Sequence, residues 1–204
     1  MMEEVRLGAT SVRILPAVRG LSSEAAAVHD AIESMRPSAV GLSIGAEELR
    51  TLRSYDGGPL EPENFEEEIY VDGLSAWEPP IKPPPCFSEA IRAADARKIP
   101  VEALDMDDVT YTENYVDCVS ALEIVFQGRL ERKLLKKQFQ ATNPRDFVLE
   151  WDAEVNGSPG FARLQARREA FIASRLREIA GSAPSVLAVI EVERVNGVLA
   201  VLRG

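Results

Sequence analysis

EVRLGATSVRILPAVRGLSSEAAAVHDAIESMRPSAVGLSIG, residues 4–45, decides the fold class of this chain. Val5, Leu7, Val12 and Ile14 alternate with polar residues on either side of a Gly8-to-Ser11 turn, so the first part reads as two short strands. An amphipathic helix follows. Ser22 or Ser23 offers its N-cap, and Ala25, Val28, Ile32 and Met35 form an apolar stripe that ends before Pro37. AVGLSIG, residues 39–45, is a small apolar run that reads as a buried strand. Strand, helix and strand in this order make a crossover unit with a parallel pair.

A second such unit begins at Ser88, where Ala90, Ile91, Ala93 and Ala94 predict a short helix and IPVEALD, residues 99–105, predicts a strand. That strand ends in acid. Asp105, Asp107 and Asp108 stand at its carboxyl end, where open α/β sheets place their ligand sites. An aspartate there also caps the next helix, which the pattern starts near Thr110 or Thr112, and Asp108 suits that role better than Asp105. Between the two units, residues 54–86 hold seven of the thirteen prolines together with Gly57, Gly58 and Gly73, which predicts an extended loop or flap. Five glutamates at positions 61–68 give it a solvated face, and Trp77 is placed to pin it to the body.

Downstream the pattern is helical. Val116, Val119, Leu122 or Glu123, Phe126, Leu130 and Leu134 predict one long helix over 113–139, with Gly128 as a candidate kink site. Arg129, Arg132, Lys133, Lys136 and Lys137 form a basic cluster toward its end, suited to the helix dipole, to the glutamate-rich loop or to an anionic ligand. Asn143-Pro144 starts a helix through RDFVLEWDAEV, and NGSPG, residues 156–160, closes it. The last long helix runs from about Phe161 to Ala180, with Gly181 as terminator. Arg168 interrupts its apolar stripe between Leu164 and Ile172, so this side chain must either snorkel to water or meet a carboxylate inside the protein. SVLAVIEV, residues 185–192, is a strong strand; VLAVL, residues 198–202, reads as a further strand across an Asn196-Gly197 hairpin turn. The expected architecture is α/β: a mixed β-sheet built from two strand-helix-strand units, with a helical insertion and flanking helices, in a single domain over residues 1–204.

Composition removes whole classes of chemistry. The chain has one histidine, His29, so a Ser-His-Asp or Cys-His arrangement would have to use it. A common zinc site would have to draw on His29, Cys86 and Cys118, none of which is near another in sequence. A formal charge of −10 opposes nucleic-acid binding and attraction to an anionic membrane. No apolar run is long enough to span a bilayer, and the first residues lack a signal-peptide core, so a soluble, acidic, cytoplasmic protein is expected.

Five stretches, taken in order, resemble the TraB family, which is related to the Tiki, erythromycin-esterase-like and ChaN-like proteins. The family's G-T-x-H-V-S motif is matched by AVRGLS, residues 17–22, with Gly20 where the histidine falls. Its V-x-V-E-L-D pattern is matched by VGLSIG, residues 40–45, with Ser43 in place of the glutamate. EAIRAADARKIPVEALDMDD, residues 89–108, is similar to the helix and strand leading into D-R-D, and Asp105 and Asp107 keep both acids. The family's E-R-D appears as Arg167, Arg168 and Glu169 before AFIASRLREI. Its last motif, V-V-G-A-G-H-V-x-G-I, becomes VIEVERVNGV, residues 189–198, with Arg194 at the histidine and Glu191 and Glu193 at the glycines.

The resemblance implies a layout whose members are known or proposed metal-dependent hydrolases, in a chain that lacks both histidines and one glutamate of the motifs. A non-catalytic, TraB-like protein that binds a ligand or protein partner is therefore expected. In that reading Arg168 and Arg194 stand opposite Asp105, Asp107, Glu191 or Glu193 in an internal ion-pair network, with no cofactor. The alternative is a carboxylate-only site in which Asp105, Asp107, Glu169, Glu191 and Glu193 hold magnesium or manganese for hydrolysis. A homo-oligomer through the C-terminal strand is compatible with the first reading.

Overall fold

The computed structural model describes residues 2–55 and 65–204. Gly57, Gly58 and most of the glutamate-rich stretch 61–68 lie outside the described residues. The chain is mixed α/β. Strands β1 (Glu3–Leu7) and β2 (Thr10–Ala17) form an antiparallel hairpin that turns at Gly8, whose φ of 61° suits a residue without a Cβ. The remaining strands are β3 (Ala39–Leu42), β4 (Val101–Ala103) and β5 (Ser185–Glu191), and the sheet order is β1-β2-β5-β3-β4. β2, β5, β3 and β4 are mutually parallel.

That order explains where the helices lie. Helices α1 (Ser23–Met35) and α4 (Pro85–Ala96) carry the chain from β2 to β3 and on to β4, and both pack on one face with Val40, Leu42 and Val189. The return from β4 to β5 reverses direction, so α8 (Pro159–Ala180) crosses the opposite face, as right-handed crossovers require. Helix α9 (Val195–Arg203) joins it over Ile14, Ala188 and Ile190. A third cluster forms around α3 (Phe65–Leu74), α6 (Ala121–Leu134) and α7 (Pro144–Val155), where Leu74, Leu134, Phe147 and Trp151 meet Val18, Leu21 and Val192. Val18 and Val192 directly follow β2 and β5 and Leu21 lies a few residues beyond β2, so the helical insertion roofs the carboxyl end of the sheet.

Several expectations are corrected. Asn196-Gly197 is not a hairpin turn and residues 198–202 are not a strand: both lie in α9, whose Val195, Val198, Leu199 and Leu202 are buried at helical spacing. A type I′ turn needs positive φ, and Gly197 is not among the glycines that have it. The strand proposed for homo-oligomer pairing is therefore absent. The long helix over 113–139 is two, α5 (Asp108–Cys118) and α6, separated at Val119 and Ser120. Ser120 and Glu123 close a reciprocal capping box that starts α6 afresh, and Gly128 lies inside α6 without ending it. The segment 54–86 is not all loop, since α3 occupies part of it and α4 begins at Pro85 rather than Ser88. Residues 43–45 lie beyond β3, and α2 (Ala46–Ser54) follows where no helix was expected. Ser22 precedes α1 but gives it no side-chain cap bond; its hydroxyl and its N–H both donate to the Glu78 carboxylate.

Candidate functional site at the carboxyl end of the sheet

Each parallel strand delivers polar residues to the same end of the sheet. β2 leads to Arg19 and Gly20, β3 to Ser43, β4 to Asp105, and β5 to Glu191, Glu193 and Arg194. Helix α8 adds Arg168 and Glu169, and α7 adds Asp152 from the roof. Arg168 does not snorkel: its side chain is 19% exposed and pairs with Asp105, which is 5% exposed. Arg168 Nε donates to Asp105 Oδ2 at 3.0 Å, and Nη2 donates to the same oxygen. Asp105 Oδ1 is engaged as well, accepting the Met106 N–H at 2.8 Å. Burial works against the guanidinium charge, but Asp105 and Glu191 more than offset it and hold the Arg168 pKa above its ordinary value.

Glu191 is the hub of the second half. Its Oε1 lies 2.8 Å from Arg19 Nε, its Oε2 lies 4.0 Å from Arg194 Nε, and Arg194 Nη2 lies 3.6 Å from Asp152 Oδ1. Burial raises the Glu191 pKa, but the guanidiniums of Arg19, Arg168 and Arg194 outweigh it and hold the carboxyl below its usual range. Glu193, half-buried beside it, has no guanidinium so close. Burial first, and then the Glu191 charge, push its pKa up to about 7. Burial also raises Asp152 and Glu169, and the Glu169 carboxyl lies against the bare backbone of Gly197. Among the described residues, Glu191 Oε2, Arg194 Nε and Arg194 Nη1 are buried without a hydrogen-bond partner.

The three positions at which the TraB motifs carry histidine, glutamate and histidine are each committed elsewhere. Gly20 has φ 92°, and a Cβ built there would lie 2.7 Å from Pro80 Cβ, so a histidine cannot enter without moving backbone. The Ser43 hydroxyl accepts the Glu191 N–H at 3.0 Å, tying the end of β3 to the end of β5. Arg194 is held by Glu191 and Asp152.

The structure brings Asp105, Arg168, Glu169, Glu191, Glu193 and Arg194 to the same end of the sheet and leaves Asp107 outside the group. Asp107, not Asp108, is the N-cap of α5: its Oδ1 accepts the Thr110 N–H at 2.7 Å, and that bond lowers its pKa. Arg167 points away to Asp117 and Asn114 of α5. Arg19 and Asp152 complete the network and were missed, since nothing in the neighbouring sequence of either points to its partner. His29 is remote, bridging α1 and α4 through its 2.8 Å contact with Glu89. Cys86 and Cys118 are free and buried, and burial pushes the Cys86 thiol up to about 12, far from a reactive thiolate.

Among the described residues, no group of three or more His, Cys, Asp or Glu is arranged to hold an ion, and the Asp105 and Glu191 carboxylates are paired with the guanidiniums of Arg168 and Arg19. No described helix is long and apolar enough to cross a membrane. No protein-family model matches this chain, and none of the curated proteins compared with it matches either.

Proposed function

We propose that this chain is a non-catalytic, TraB-like cytoplasmic protein whose work is to bind a ligand or a protein partner. The observation that supports the reading is the fate of Gly20, Ser43 and Arg194, which stand where the motifs require catalytic or metal-binding side chains and are instead built into backbone packing and ion pairs. Fixed cations at the sheet end oppose metal entry by like-charge repulsion and by occupying the carboxylates. The unpartnered atoms of Glu191 and Arg194 offer a small polar ligand hydrogen bonds there. Metal content and thermal shift with magnesium, manganese, zinc and a chelator test the reading. It expects a metal-free protein whose melting temperature is indifferent to every ion; a stoichiometric ion, or a shift of several degrees, would overturn it in favour of the carboxylate-only hydrolase.

A further inference from the structure

Helix α6 turns one face to the body and another to solvent. Glu123, Gln127, Leu130 and Leu134 turn toward the body, where Leu134 is fully buried and Glu123 Oε1 accepts the Gly160 N–H at 2.5 Å. The opposite face, at spacings of three, four, seven, ten and eleven residues from Leu122, holds Val125, Phe126, Arg129, Arg132 and Lys133. Leu122 is 69% exposed, Val125 58% and Phe126 57%. The apolar residues occupy the first half of this face and the cations the second, so the helix presents a segregated strip to solvent. A depression of about 180 Å³ lined by Gly128, Glu131, Arg132 and Leu135 runs beside it.

The chain has a net charge of −10, yet among the described residues these cations meet no carboxylate. No described carboxylate forms an ion pair with Arg129, Arg132, Lys133 or Lys136, although Lys137 next to them pairs with both Glu150 and Glu154. The helix dipole accounts for a cation in the last turn, as at Arg132 and Lys133. It does not account for three large apolar side chains left in water on the same face. Arg129 lies over the Phe126 ring with its guanidinium carbon 5.6 Å from the centroid, which keeps the two halves of the strip contiguous.

We propose that the outer face of α6 is the docking surface for a partner protein that presents an acidic, amphipathic helix, running antiparallel to α6. The inference rests on the reading of this chain as a binding protein and names its surface and partner class. An antiparallel helix with carboxylates in its first turns and apolar residues in its last meets cations with carboxylates and Leu122, Val125 and Phe126 with apolar contact. The acids also fall at the end of the partner's own dipole that favours them. A second copy of this chain fits poorly, since antiparallel pairing of two α6 faces sets the apolar half of each against the cations of the other. An anionic membrane fits poorly too, because the acidic body would be driven from it.

The test uses the full chain and a synthetic helical peptide with glutamates on one face of its first two turns and leucine and phenylalanine on that face of its last two. Fluorescence anisotropy is expected to show saturable binding that weakens with salt. Binding should weaken about tenfold or more with Phe126→Ser, and likewise with the pair Arg129→Glu and Lys133→Glu. These exposed substitutions should leave the melting temperature unchanged. Absence of saturable binding, or equal binding of a scrambled peptide or of the variants, overturns the proposal. So does self-association, or adsorption to phosphatidylserine vesicles, that the same variants abolish. Each of these failures leaves the metal test of the non-catalytic reading untouched.

Discussion

The sheet end and the outer face of α6 both concentrate charge, and they treat it in opposite ways. At the sheet end Arg168, Arg19 and Arg194 are matched to Asp105, Glu191 and Asp152, and the matched groups lie mostly out of water. On α6 the cations are solvated and meet no carboxylate among the described residues, and the apolar residues beside them are exposed. A buried charge without a partner is too costly to keep, so the inner groups specify the fold through one another. An exposed charge costs little, so the outer groups remain available to another molecule. The charges at the sheet end are thus held largely by one another, whereas those on α6 face water.

Breaking the inner network should have the largest effect. Glu191→Ala removes the carboxylate between Arg19 and Arg194 and should cost up to about 5 kcal/mol, read as a large fall in the chemical-denaturation midpoint. A loss below about 1 kcal/mol would show that solvent, rather than Glu191, balances those guanidiniums. Placing a histidine at Gly20, where the resemblance would put one, should also be costly: Gly20→His forces a side chain into a positive-φ position against Pro80, and a loss of about 2–3 kcal/mol with no gain of metal affinity is expected. Unchanged stability with new zinc binding would revive the hydrolase layout.

A gentler probe is pH. Because the folded Glu193 carboxyl titrates at about 7, above its unfolded value, its contribution is fully present below about pH 4.3 and is lost as pH rises through 7. Glu193→Gln should therefore match the parent near pH 4 and exceed it by about 1–2 kcal/mol at pH 8. Glu191 has the opposite sign: held low by three guanidiniums, it stabilises at neutral pH, and that contribution fades in acid. Parallel stability curves for Glu193→Gln and the parent across that range would show that Glu193 is not buried beside an ionised Glu191.

Much of the fold was legible in the sequence because the parallel strands are short apolar runs and the helices between them keep a clean period, as in Val28, Ala31 and Ile32 of α1. Asp105 was legible from its place after β4, and Arg168 from its intrusion into an apolar stripe, two signals that needed no knowledge of distant contacts. Arg19 and Asp152 were not, because their partners come from the far end of β5 and only the strand order brings them together. Helix α9 was obscured by the Asn196-Gly197 dipeptide, a turn signal that the burial of Val195, Val198, Leu199 and Leu202 on α8 and the sheet overrides. The break between α5 and α6 was written in Ser120 and Glu123, but the apolar period runs across it and hides the cap.

The central claim, that the sheet end is a structural ion-pair network rather than a catalytic centre, is tested most directly by thermal unfolding of Arg168→Ala. The account predicts a loss of about 3–5 kcal/mol, a fall of about 10 °C in melting temperature, because the substitution leaves Asp105 buried and unpaired. Asp105→Asn in the same background should recover part of it, since the amide carries no uncompensated charge. An unchanged melting temperature for Arg168→Ala would contradict the account.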